Sequence, residues 1–148
     1  MIELNNFAHA EEIAKGAGIV MNPSVDMCIS RSKNGKFLGG TIYKDYTGVS
    51  LSLHIFAVNK SWINKDLLWV SFHYPFEQLG CKKIFAPVPN DNTYCIEFCQ
   101  KIGFKLDTII RDVFPSGDMH ILSMYKEECH WLNLEPRKIQ IGAHTDGR

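Results

Sequence analysis

Apolar residues recur along this chain with two different periods, and each change of period marks the end of one element. Residues Ala8 to Ala17 have helical spacing and stop at Gly16-Ala17-Gly18. After Asn22-Pro23, Val25 to Ser30 reads as a strand. Asn34-Gly35 sits between two apolar runs, which predicts a tight hairpin and a return strand from Phe37 to Tyr43. The adjacent Gly39 and Gly40 inside that strand predict a bulge or a close approach by another part of the chain. A turn near residues 45–48 leads into a third strand, Val49 to Val58. There Val49, Leu51 and Leu53 alternate with Ser50, Ser52 and His54, giving one apolar face and one that looks onto a polar space.

The second half of the chain alternates helices with strands. Asn64 to Leu79 reads as a helix stopped by Gly80, with Pro75 ending or kinking its last turn. Lys83 to Val88 is a short apolar strand, and Pro87 and Pro89 argue against regular pairing at its end. A helix from Asn92 to Ile102 shows Cys95, Phe98, Cys99 and Ile102 on one face, followed by a glycine stop at Gly103. Two strands, Phe104 to Phe114 and Met119 to Tyr125, flank Pro115-Ser116-Gly117-Asp118. A short helix from Lys126 to Leu132 precedes a polar tail expected to have little order beyond Pro136. Antiparallel strands followed by strand–helix alternation predict one mixed α/β (α+β) sheet with helices on both faces. A single domain over residues 1–132 and a tail over 133–148 account for the chain.

Charge narrows the function. Sixteen Lys and Arg balance sixteen Asp and Glu, and no basic stripe is visible, which argues against nucleic acid as a partner. The chain start has no signal-peptide pattern and no apolar run approaches ~20 residues, so no membrane span is expected. Five cysteines, an odd number without framework spacing, read as reduced thiols in a cytoplasmic protein, and their spacing with histidine gives no metal set.

The run from Asn92 through the helix to Lys101-Ile102-Gly103-Phe104 closely resembles the end of the acyl-CoA-dependent N-acetyltransferase core, the GNAT superfamily. The order of elements from Ala8 to Leu132 resembles it too. The chain is similar to small bacterial and phage members, on the ribosomal-protein alanine N-acetyltransferase branch. Only about seven residues precede the first helix, so the resemblance implies a fold shortened at its N-terminus. It also implies acetyl-CoA as cofactor, with its pantetheine arm between two splayed parallel strands, here Leu51 to Val58 and Lys83 to Val88. Phe56 and Val58 would then meet the cofactor through their main chain, and Asn92 would do so as well as capping its helix. The pyrophosphate would lie against the helix start at Asn64, Lys65, Asp66 and Leu67. The run Lys60 to Leu68 lacks the glycines the family has there. Lys60 or Lys65 would supply charge, while Asp66 would repel a phosphate.

Acetyl transfer to an amine needs a base for the amine and a proton for the departing thiolate. By the same resemblance His54 takes the place of the base, on the polar face of its strand. Cys99 stands where the family has an acid tyrosine, with Tyr94 as a weaker substitute. An amide near Val58 would polarise the carbonyl. Asp26, Tyr43, Asp112 and His120 would line the acceptor groove. Packing also explains Cys99, and capping also explains Asn64 and Asn92. Two readings follow: an N-acetyltransferase acting on a primary amine of a small molecule or protein by direct attack, as monomer or homodimer; or a GNAT-fold binding module that holds CoA or a protein partner without turnover.

Overall fold

The computed structural model describes residues 1–139 and 141–143. In chain order the elements are β1 (Ile2–Leu4), α1 (Phe7–Ala17), β2 (Met27–Lys33), β3 (Lys36–Lys44), β4 (Ser50–Ala57), α2 (Lys65–His73), β5 (Lys83–Pro89), α3 (Thr93–Lys101), β6 (Lys105–Phe114), β7 (Gly117–Tyr125) and β8 (Ile141–Ala143). They form one sheet in the order β6-β7-β5-β4-β3-β2-β1-β8. Among the described residues only β4 with β5 and β1 with β8 run parallel. Among the described residues no helix is long and apolar enough to cross a membrane.

Local chemistry sets the elements. Asn6 caps α1 by accepting from the His9 amide, and Gly18, with φ of 71°, closes it. The β2–β3 turn has positive φ at Asn34 (52°) and Gly35 (76°), the combination a two-residue hairpin needs. Ala10 and Ile13 of α1 bury against Cys28 and Ile42 on one face of the sheet. Helices α2 and α3 cover the other face, around Tyr43, Leu51, Phe72, Phe76 and Ile84. Gly40 allows α1 to come this close: a Cβ there would lie 2.7 Å from the Ile29 carbonyl oxygen and 2.8 Å from Ile13 Cδ1. Its glycine is needed for space. Beyond His73 the chain tightens no further into α-helix, because Pro75 has no N–H to give; a π-turn over Tyr74–Gln78 follows, closed by the Leu79 amide on Tyr74 O at 3.0 Å.

Three expectations change. A short first strand is present, Ile2–Leu4 paired with β2. Of the tail expected to have little order past Pro136, Ile141–Ala143 pairs with the edge of β1, and residues 140 and 144–148 lie outside the described residues. The helix expected over 126–132 is two 3₁₀ turns, Lys126–Glu128 and His130–Asn133.

Candidate active site

Strands β4 and β5 pair through only three positions, Ser50 with Lys83, Leu51 with Ile84 and Ser52 with Phe85, and then separate. The cause lies in β5. Asn90 N–H donates to Asp118 O (2.9 Å) and Lys126 N–H donates to Lys82 O (3.1 Å), so the even-numbered residues of β5 turn their main chain to β7. Strand alternation then turns Lys83, Phe85, Pro87 and Pro89 toward β4. The next rung after Phe85 would need an N–H from Pro87, and the one after that an N–H from Pro89. Neither exists, so the ladder stops there.

The same counting corrects which part of β4 faces the gap. Val58 N–H donates to Leu38 O at 2.9 Å, so the even-numbered residues of β4 pair with β3. Phe56 and Val58 therefore do not offer their main chain to the gap, and the Val58 amide is not free to polarise a carbonyl. The Phe56 ring packs against Gly16 of α1, and the Val58 side chain is exposed. The Leu53 carbonyl and the main-chain groups of Ile55 and Ala57 face the gap instead. A shift of one residue exchanges every main-chain direction in a strand, and the sequence carries no mark of which set pairs with which neighbour.

Trp62 packs on the α2–α3 side of the sheet, over β3 and against α3. Its ring is buried over Gly39, where a Cβ would come within 2.8 Å of the indole, and lies 5.3 Å from Phe98. Its Nε1–H donates to the Tyr94 hydroxyl at 3.1 Å, linking the approach to α2 with the first turn of α3. The space Trp62 borders together with Leu53, Ile55, Phe72, Phe98 and Ile102 is about 20 Å³. That is room for one water molecule. Tyr94→Phe deletes this hydrogen bond, and the melting temperature is expected to fall by about 2–4 °C, the equivalent of ~1 kcal/mol, in differential scanning fluorimetry.

His54 stands two residues beyond the last β4–β5 rung, half-buried, on the face that α1 covers and opposite Ile42. Its Nε2 lies 3.2 Å from Ser52 Oγ, which also lies 3.1 Å from Asp45 Oδ2 and 3.2 Å from the Lys44 carbonyl oxygen. Burial, reinforced by the Lys44 ammonium, lowers the His54 pKa from its ordinary value; Asp45 and Asp26 oppose this more weakly. The imidazole is therefore neutral at neutral pH.

The other residues singled out in the sequence are spread more widely. Asn64 caps α2 through Leu67 N–H (2.8 Å), which leaves the Lys65 and Asp66 amides at the helix start. The Leu67 side chain is core. Beside that start lies a depression of about 400 Å³ bordered by Arg31, Asp66 and Lys138, and Arg31 Nη1 donates to Ser61 O at 2.6 Å. Arg31 and Lys138 come from β2 and the tail, and no local pattern marks them. Asn92 caps α3 by accepting from Cys95 N–H at 3.2 Å. Cys99 is fully buried, and its hydrogen bond to Cys95, together with burial, holds its thiol far above the ordinary range. From α3, Phe98 and Ile102 border the small space beside Leu53 and Ile55 and Cys99 does not, so the position that suggested an acid is a packing position. Tyr43 is likewise core: it donates to Ser71 O at 2.7 Å, and burial, the largest influence, raises its pKa, so it does not line an open groove. Asp26 is buried in an ion pair with Lys44 beside His54. Asp112 and His120 lie away on the β6–β7 hairpin.

No protein-family model matches the sequence, and no curated protein matches it. Solved structures do. A probable acetyltransferase aligns with a TM-score of 0.61 at 15% identity over 70% of this chain, which spans 62% of that protein's length. A spermidine N-acetyltransferase SpeG chimera from Vibrio cholerae and hSSAT aligns at 0.61 and 16% identity, over 86% of this chain and 80% of the other. A GNAT family acetyltransferase from Elizabethkingia anophelis with acetyl-CoA bound aligns at 0.55 and 15%, over 81% and 83%.

Proposed function

We propose, on the premise that this chain has the GNAT fold, that it moves an acetyl group from acetyl-CoA to a primary amine, with His54 as the base. One observation carries the reading: the two parallel strands part beside a neutral histidine, leaving the main chain of Ile55 and Ala57 turned into the gap. Alternating N–H and C=O groups there match an amide-bearing chain such as pantetheine. The Lys65 and Asp66 amides at the α2 start, with Arg31 and Lys138 nearby, suit a phosphate group. Bound acetyl-CoA would supply the acetyl group as an activated thioester. His54, neutral at working pH, takes the proton that the amine nitrogen loses as it bonds the acetyl carbon and the carbon–sulfur bond breaks. The thiolate needs no acid from Cys99, since a thiol of ordinary pKa near 8.5 leaves readily as an anion.

Trp62 favours a second reading, a binding module without turnover, because its ring and Phe98 leave only about 20 Å³ beside Leu53 and Ile55, whose main chain the cofactor arm would meet. On the enzyme reading Trp62 swings out as acetyl-CoA enters. Thermal shift and tryptophan emission with acetyl-CoA, followed by thiol detection with a panel of amines, separate the two. At a concentration ~100 times Kd, stabilisation of about 2.7 kcal/mol is expected, which corresponds to a rise of ~5–10 °C. A rise with a change in emission and amine-dependent CoA release supports transfer. A rise without release supports the module. A flat response at millimolar acetyl-CoA removes the transferase and the CoA-holding module alike, and leaves a module that holds a protein partner.

A further inference from the structure

We propose that Ser52 and Asp45 are positioning residues that hold His54 with its proton on Nε2, leaving Nδ1 as the nitrogen that takes the amine's proton. The inference rests on the acetyl-transfer reading above. Its ground is the count of hydrogens at Ser52 Oγ. One hydroxyl proton meets three neighbours within 3.2 Å: Asp45 Oδ2, the Lys44 carbonyl oxygen and His54 Nε2.

The carboxylate and the carbonyl can only accept. If the hydroxyl donated to His54, its oxygen lone pairs would face both of them with no proton between. Donating to Asp45 instead satisfies a charged acceptor, which gives the stronger bond. The Ser52 oxygen is then free to accept, and the Nε2–H of His54 supplies the proton. A chain results in which His54 donates to Ser52 and Ser52 donates to Asp45.

The chain is held in place from both ends. Ser52 is buried opposite Lys44 in the β3–β4 ladder, so its side chain has little freedom. Asp45 starts the following turn with a left-handed backbone, φ of 58°, which an aspartate tolerates. Protonation does not disturb the arrangement, because imidazolium keeps the same Nε2–H bond and gains its new proton on Nδ1. The charges that bear on His54 are Lys44 and Asp26, themselves an ion pair, and Asp45. Asp45 is the one wired to the ring through a hydroxyl. No feature of the sequence singles out Ser52 or Asp45, since a serine in a strand and an aspartate in a turn are ordinary.

The test is long-range proton–nitrogen NMR of the full chain labelled in histidine, with His54 assigned by the signal lost in His54→Gln. The wild type is expected to show protonated Nε2 and bare Nδ1 at neutral pH. Ser52→Ala is expected to give a mixture of tautomers, and Ser52→Thr to restore the wild-type pattern. In CoA-release assays Ser52→Ala should lower kcat by about tenfold or more with KM for acetyl-CoA unchanged, as loss of an orienting partner does elsewhere. Asp45→Asn, at an exposed position whose left-handed backbone asparagine also adopts, should move the acid limb of the rate profile to lower pH. A wild-type proton on Nδ1, or a Ser52→Ala spectrum identical to wild type, overturns the relay even if the protein acetylates amines. The expected tautomer in a protein that releases no CoA with any amine overturns the assignment of a base, and with it the acetyl-transfer reading.

Discussion

His54→Ala is expected to lower amine-dependent CoA release by about a hundredfold or more, the scale of a lost general base, while the thermal shift with acetyl-CoA is retained. The two readouts part because His54 lies on the α1 face, whereas the main chain of Ile55 and Ala57 that would meet the cofactor turns toward β5. The pH profile gives the same residue a second signature. Burial and Lys44 lower the His54 pKa, so the neutral, proton-accepting form persists below the ordinary value of about 6.5 and the rate should fall only at more acidic pH. Stability follows the same sign. Unfolded chains take up a proton at His54 near pH 6.5 while the fold resists it. Stability is therefore complete above that pH and declines as pH falls toward the lowered folded value. An unchanged rate in His54→Ala, with binding intact, removes the histidine from the chemistry.

Gly40→Val should cost about 3 kcal/mol, or roughly 10 °C in melting temperature. A Cβ at this position would meet the Ile29 carbonyl oxygen, Ile13 Cδ1 and Ser30 Cβ, all at 2.7–2.8 Å. The nearest of these is main chain of the neighbouring strand, which cannot turn aside. Relief therefore requires α1 to lift from the sheet, exposing Ala10, Ile13 and Ile42. Gly48→Val is the control, since nothing lies within 4 Å of a Cβ there, and its effect is limited to the strain of its φ of 92°. Calorimetry that finds Gly40→Val no worse than Gly48→Val would refute the close approach of α1.

The two glycine effects illustrate how far the sequence could be read. Gly39-Gly40 inside a strand announced that something comes close, and the structure supplies two visitors: Trp62 over Gly39 and Ile13 over Gly40. Pro87 and Pro89 announced that pairing would fail at the end of β5, and it fails at the rung where the first missing N–H falls due. Asn34-Gly35, the Asn64 and Asn92 caps and the Pro75 interruption were equally legible, because each depends on a few adjacent residues. The facing of β4 was not. Alternation shows that one set of residues differs from the other, yet both Phe56 and Ala57 are compatible with either neighbour.

Residues far apart in the chain were harder still. Cys99 fitted both a core face and an acid's position, and burial decided for the core. Tyr43 looked polar enough for a groove until its hydroxyl was found spent on Ser71. Arg31 and Lys138 reach the α2 start only because the sheet brings β2 and the tail there.

By itself, then, the sequence determined where elements begin and end, which glycines had to remain bare and where a ladder had to break. These are short-range consequences of backbone donors, allowed φ and side-chain volume. The tertiary structure alone decided which main-chain groups look into the gap, that Trp62 bridges β3 and α3, and that Ser52 and Asp45 stand behind His54. Those facts depend on strand register and on contacts between distant segments, where one residue's displacement reverses the outcome and leaves the local pattern unchanged.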